Sequence, residues 1–287
     1  LKCNLRIALR CQYRQIYRAA AISNTRSNLA EAALRISAEE YPGLAVQAYL
    51  DRLNAFAEEV RSRLGNDCAP ARIVQVLNSY LFQELGFAGD TADFYDPRNS
   101  FLNDVLDRRR GIPITLSLVY IEVGRRVGLD VVGISFPGHF LVKYRDGEFE
   151  VVLDPYAGGV MLTHEELSVR LQRLYGHRAP EIGRAPWLLE AATNEEILVR
   201  MLRNLKGVYL YRNELRKALR VVDRILAFQP DLSTELRDRG KIYQKLECSQ
   251  AALADFRRYL QLNKDAEDAA AVRSAIIDLE SSARYLH

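Results

Sequence analysis

The sequence predicts an α+β protein with a helical N-terminal part, a core built around an antiparallel hairpin, and a C-terminal all-α stack. Three observations carry this expectation. Apolar residues recur with a 3.6-residue period from Asn28 to about Leu85. The stretch PGHFLVKYRDGEFEVVLDP (137–155) alternates on either side of an Asp-Gly pair, and the last third of the chain repeats itself at a spacing of 34 residues. A length of 287 residues allows two domains, and 48% hydrophobic with 27% charged residues is ordinary globular composition. The expected division is 28–185 for the core with its helical part and 190–287 for the repeats.

Residues 1–27 stand apart as a basic extension. Lys2, Arg6, Arg10, Arg14, Arg18 and Arg26 all precede the first acid, Glu31, and four of the arginines recur every fourth residue. An acid-poor, arginine-rich start resembles an organelle transit peptide. The plainer alternative is a non-native or over-extended terminus, since the sequence does not open on Met. Cys3, Cys11, Cys68 and Cys248 are dispersed, without a CxxC pair. That suits reduced thiols in a cytoplasmic setting, with an organelle as the alternative. A net charge of +3, with no interleaving of basic and aromatic residues, argues against nucleic acid. No apolar run approaches the roughly 18 residues of a membrane span.

Along the chain, Leu29, Ala32, Ala33 and Ile36 share one helical face, and Leu50, Leu53, Phe56, Ala57 and Val60 share another. Ile73, Val76, Leu77, Tyr80 and Leu81 continue the period, with breaks at Pro42 and Gly65-Asn66. A polar loop (89–100) leads to a short helix around Phe101–Leu106. RRRGIPITLSLVYIEVGRRVGLDV (108–131) reads as a buried helix from about Thr115 to Val127, with Pro113 at its start and Gly128 at its end. Two strands and the quoted hairpin follow, then a helix near His164–Leu174.

The end of the chain pairs ALRVVDRILAFQPD (218–231) with ALADFRRYLQLNKD (252–265). Tyr209 and Tyr243, Ala218 and Ala252, Leu226 and Leu260, and Asp231 and Asp265 keep the same offset, and Val222 matches Phe256. The pattern resembles the tetratricopeptide repeat and implies two repeats with a capping helix over about Asp268–Leu279.

If Asp146-Gly147 forms a two-residue turn, facing residues have numbers that sum to 293. Arg145 then opposes Glu148 and Lys143 opposes Glu150, while Tyr144 meets Phe149, Val142 meets Val151 and Phe140 meets Leu153. The same register sets His139 opposite Asp154. A carboxylate there fixes the imidazole tautomer and leaves the other nitrogen basic. A His–Asp pair that merely holds a sheet end is the other reading.

RRRGIPITLSLVYIEVGRRVGLDV, PGHFLV and VLDPYAGG, with repeats behind them, resemble the SirB-type transglutaminase-like proteins, over about residues 28–280. DPRNSFLNDVLDRRRGIPITLSLVY (96–120) is the most specific part. The resemblance implies a papain-like fold with a Cys–His–Asp triad, in which His139 and Asp154 match the catalytic pair. Gly111-Ile112-Pro113 matches the Gly-x-Cys that opens the central helix, so the nucleophile position is Pro113. SirB-type proteins commonly share this departure.

Thr115 and Ser117 are the nearest hydroxyls, and Thr115 suits a capping role better than a nucleophilic one. Cys68 and Cys248 have no sequence-level reason to reach His139. His164, His177 and His287 lack metal-ligand spacing, and His139 with Asp154 would supply only two ligands, so neither metal nor cofactor is expected. Arg108-Arg109-Arg110 reads as a solvated or capping cluster paired with Asp104 and Asp107. In the alternative reading, Arg109 with Asn99 and Asn103 forms a binding set for an acidic peptide or carboxylate. The function expected is a degenerate transglutaminase-like protein that binds a protein or peptide through its repeats or its old cleft. The competing class is a hydrolase or acyl transferase in which His139 and Asp154 activate water or a substrate nucleophile. A redox regulator acting through Cys68 or Cys248 is a third.

Overall fold

The computed structural model describes residues 29–65 and 69–284. The basic extension, Cys3, Cys11, Cys68 and His287 lie outside them. The described chain forms two compact units that divide between Met201 and Leu202.

In the first unit the helical period becomes α1 (Leu29–Ala38), α2 (Val46–Leu64) and α3 (Pro70–Asn78), the last running into a π-helical turn at Ser79–Glu84. The apolar stripes face inward. Leu29, Ala33, Leu53, Val60, Leu77 and Leu81 are all buried, each side chain gaining about 1.5–3 kcal/mol by leaving water if it is as large as Val or Leu. Next come β1 (Ala88–Gly89), α4 (Leu102–Arg108), β2 (Arg110–Gly111) and α5 (Pro113–Arg126). β1 and β2 pair in parallel over two residues each, too short a bridge for any sequence period to signal.

Every residue of α5 from Ile114 to Gly124 is buried. Proline at its first position loses no hydrogen bond. Thr115 caps the turn: its Oγ1 accepts from Ile112 N–H at 3.1 Å and donates to the Asn99 carbonyl at 2.8 Å. Farther along, Glu122 pairs with Arg126. Burial pushes its carboxyl upward, opposed by Arg126, Arg125 and the backbone N–H of Ala30 at the start of α1.

The arginine cluster is spent differently from expectation. Arg108 reaches Asn99 at 3.1 Å, Asp90 at 3.3 Å and Asp96 at 3.5 Å. Asp104 accepts from Tyr41 instead, and Asp107 from Tyr49 and Arg52. A pair within one helix is worth only a few tenths of a kcal/mol, so partners from other elements prevail.

β3 (Asp130–Ile134), β4 (Leu141–Asp146), β5 (Phe149–Asp154) and β6 (Val160–Leu162) form an antiparallel sheet in that order. Gly124 of α5 lies against Val131, and Ile121 approaches Gly133. Ile134, on the opposite face by strand alternation, packs with Leu141, Val152, and Leu167 and Leu171 of α6 (His164–Tyr175). The sheet is thus held between α5 and α6.

The hairpin register differs from the expected one by two residues. Asp146 faces Phe149, Arg145 faces Glu150 and Tyr144 faces Val151, so paired numbers sum to 295. Gly147-Glu148 is the loop, with Gly147 at φ 59° in its first position, where a type II′ turn requires glycine. A slip of two leaves every side chain on its original face. Lys143 therefore still meets Glu150, now diagonally at 2.6 Å, and Tyr144 still meets the Phe149 ring at 6.0 Å.

The boundary between the units falls within α7 (Asn194–Tyr211). After it come α8 (Leu215–Phe228), α9 (Ser233–Lys245), α10 (Ser249–Leu262) and α11 (Ala269–Arg284). The repeating positions are core positions: Ala218, Ala252, Val222 and Phe256 are buried, as are Tyr209 and Tyr243. Phe256 lies so close to Gly240 that a Cβ there would stand 2.6 Å from its ring. Arg239 grips Asp255 with two hydrogen bonds of 2.7 Å and Asp223 with a third, tying α9 to both α8 and α10. Arg239→Met is expected to cost about 3 kcal/mol, because Asp255 would be left buried without its cation. Urea unfolding followed by helical circular dichroism measures it, and Asp223→Asn should cost much less.

Candidate functional site

The turn that delivers His139 is written in Phe136-Pro137-Gly138-His139. Proline suits the second position of a type II turn and glycine the third. Gly138 has φ 68°, and His139 N–H closes the turn on the Phe136 carbonyl at 3.1 Å. His139 lies two residues before β4, and Asp154 ends β5. Their side chains meet across the strand ends, with Nε2 and Oδ1 2.9 Å apart. In the observed register they are not direct cross-strand partners.

Asp154 is nearly inaccessible, with 2% of its side chain exposed. Its carboxylate is fully engaged. Oδ1 accepts from His139 and from the Tyr156 N–H at 3.1 Å, capping the short turn Pro155–Ala157, and Oδ2 accepts from Arg170 of α6 at 2.8 Å. Burial alone would raise its pKa, but the hydrogen bonds and charges of His139 and Arg170 outweigh it and hold the carboxyl below its ordinary value.

The Tyr156 ring stands edge-on to His139 at 6.0 Å and fills the space over Gly89, where a Cβ would come within 2.5 Å of it. Its hydroxyl donates to the Asp90 carbonyl at 3.4 Å. Asn78 donates to the Gly159 carbonyl at 2.8 Å, and Gly159 N–H returns to the Asp154 carbonyl at 2.8 Å. The loop carrying the carboxylate is therefore tied to α3, β1 and α6.

Sequence reasoning missed Arg170, Tyr156 and Asn78. The Asp-Pro-Tyr run hinted at a capped turn, but a single arginine on the polar side of an amphipathic helix carries no signal of its partner.

The remaining candidates lie elsewhere. Thr115 and Ser117 are fully buried and turned to backbone carbonyls, those of Asn99 and Phe140. Asn99 is buried between Arg108 and the Asp93 carbonyl. Arg109 closes α4 in the left-handed region at φ 59°, and its guanidinium donates to the Leu85 carbonyl. Asn103 is buried, and its Oδ1 has no hydrogen-bond partner among the described residues. No hydrogen bond or ion pair joins Asn103 or Arg109 to His139 or Asp154 among the described residues. Cys248, in the second unit, is exposed. The described residues contain no group of three or more metal-ligating side chains and no helix long and apolar enough to cross a membrane.

A papain-like arrangement of buried helix, sheet and His–Asp pair, followed by helical repeats, defines a class, and comparison with known proteins agrees. The transglutaminase-like superfamily profile matches residues 47–203, and a tetratricopeptide-repeat profile matches 205–276. The chain belongs to the transglutaminase-like superfamily, in its SirB-type branch with C-terminal repeats. It is 39% identical over 259 residues to a UPF0162 protein of Xylella fastidiosa, covering 90% of this chain and 92% of that one. It is 27% identical over 223 residues to SirB1 of Salmonella typhimurium, covering 77% and 80%. Among solved structures, one of menin aligns over 88% of this chain and 70% of that one, with a TM-score of 0.40 and 12% identity, too loose a likeness to bear on function.

Two outcomes are expected. Gly138→Ala forces an L-residue into the left-handed region and sets a Cβ 2.9 Å from Leu174. It should cost about 1–2 kcal/mol and loosen the His139–Asp154 contact, seen as altered imidazole NMR signals. Asp154 has a lower pKa folded than unfolded, so its ionised form stabilises the fold above about pH 4. That contribution is lost as pH falls through the folded value. Acid unfolding of wild type should therefore be steeper than that of Asp154→Asn.

Proposed function

We propose that this chain is a regulatory module that binds a protein or peptide, in a cytoplasmic setting, rather than an enzyme with turnover. The observation carrying the proposal is Pro113: the position that the family resemblance gives to the nucleophile has no reactive atom. The hydroxyls nearest to it in sequence, Thr115 and Ser117, are buried and committed to main-chain carbonyls. Asp154, neutralised by Arg170 as well as hydrogen-bonded to His139, fits a fixed recognition element. The repeats supply a second surface of a kind suited to peptides. On this reading His139 and Asp154 shape the cleft, and Asn99, Asn103 and Arg109 support it by ordering the neighbouring loop.

A second reading keeps catalysis. His139 retains 19% side-chain exposure, and its Nδ1 makes no hydrogen bond among the described residues, so it is open to a water or a substrate hydroxyl. Hydrolysis of p-nitrophenyl acetate by purified protein separates the two. The binding reading expects the same slow rate from wild type and His139→Ala, whereas a rate that collapses in the variant would establish the catalytic one. A thiol introduced by Pro113→Cys tests the site assignment itself. It should be alkylated by iodoacetamide faster at about pH 6–7 than in the Pro113→Cys/His139→Ala double variant. Equal rates would separate position 113 from the His–Asp pair.

A further inference from the structure

Asp154 is shut away from solvent by the two side chains that bond it, and these two remain accessible. The carboxylate exposes 2% of its side chain, against 19% for His139 and 30% for Arg170. A guanidinium carries five N–H donors. Arg170 spends one nitrogen on Asp154 Oδ2 and makes no other hydrogen bond among the described residues. His139 likewise spends Nε2 on Asp154 Oδ1 and keeps Nδ1 free. The other acid near Arg170 is Glu166, one turn earlier on α6, which the Thr163 N–H and hydroxyl already hold. An apolar side chain adjoins these donors. Leu174 follows Arg170 by four residues, one turn along the same face of α6. It reaches over Gly138, the residue before His139, where a Cβ would stand 2.9 Å from its methyl group. Even so, Leu174 is 52% exposed.

We propose that Arg170, His139 and Leu174 capture the C-terminal end of a partner protein, the terminal carboxylate on the two donors and an apolar last side chain on Leu174. The inference rests on the peptide-binding reading and names the part of the peptide that is held. Charge complementarity carries it. The carboxylate that balances Arg170 lies behind it, so the accessible side of the site offers donors without an acceptor carboxylate. Arginine is suited to a second carboxylate because its planar fork can give two parallel N–H bonds. The imidazole joins as its cation, with Nε2–H on Asp154 and Nδ1–H on the ligand. Asp154, Arg170 and the edge-on Tyr156 ring are the groups that face it. Spacing selects a chain end over an internal acid. Arg170 and Leu174 are about 5–6 Å apart at Cβ, and only a last residue bears its carboxylate and an apolar side chain on one Cα.

The test is an NMR titration of the full chain with N-acetyl-Gly-Gly-Leu bearing a free carboxylate. Its C-terminal amide and an N-acetyl-Gly-Glu-Gly amide, whose acid is internal, serve as controls. The expected result is saturable shifts of the His139 imidazole and the Arg170 Nε–H with the free acid, about tenfold or more weaker with either control. Raising the pH from about 6 to 8 should weaken the free acid, as a histidine cation is lost. Arg170→Lys keeps a cation for Asp154 but loses the fork, and should also weaken it about tenfold. Leu174→Asn alters an exposed side chain and should reduce the peptide to the affinity of N-acetyl-Gly-Gly-Gly. Equal binding of acid and amide, or of chain end and internal acid, overturns the proposal. So does affinity unchanged in both variants. If His139 and Arg170 are silent while random blocked hexapeptides shift the repeat helices, the peptide-binding reading survives and only this site is wrong. If no region responds to any peptide, both fall.

Discussion

Helix α5 is buried along almost its whole length, and everything in the first unit is arranged so that it can be. Its flanks supply apolar side chains on all sides, so it has to be enclosed both by α1 and α2 and by the sheet. That enclosure sets demands at both ends. The first turn needs its main-chain groups satisfied without water, which Thr115 and the Asn99 carbonyl accomplish. The last turns carry Glu122, a carboxyl that burial would leave costly without Arg126 and the amide end of α1. The polar loop holding Asp90, Asp96 and Asn99 then serves as the seat for the start of this helix as well as a connection.

The same loop links the helix to the His–Asp pair. Asp90 takes its N–H bond to the Gly111 carbonyl just before α5, receives Arg108 through its side chain, and accepts the Tyr156 hydroxyl at its own carbonyl. Tyr156 in turn sits beside His139 and follows Asp154 by two residues. Helix start and histidine therefore share a support, although they come from segments far apart in sequence.

How much of this was legible in sequence depended on range. Period and parity are local, so the helices, the buried faces and the 34-residue repeat could be read directly. Parity did not determine register: Lys143–Glu150 and Tyr144–Phe149 contacts satisfy both the expected hairpin and the observed one, and the choice lay in which turn position Gly147 occupies. The meeting of His139 with Asp154 was legible because the family resemblance and the alternation both pointed to that pair. Arg170 was not, because its role depends on how α6 lies against the end of β5. Arg108 illustrates the same limit, since its acidic neighbours within α4 were claimed by residues from outside that helix.

The capping of α5 by Thr115 also relieves position 113 of structural duty. The hydroxyl that orders the first turn, and the carbonyl that receives it, lie on residues other than 113. Proline suits that position for conformational reasons alone. A lineage could thus exchange the side chain at 113 without loosening the scaffold, and selection on folding would not register the change. The histidine and its carboxylate have no comparable freedom, because the loop that carries Asp154 is tied at once to Tyr156, Asn78 and Arg170.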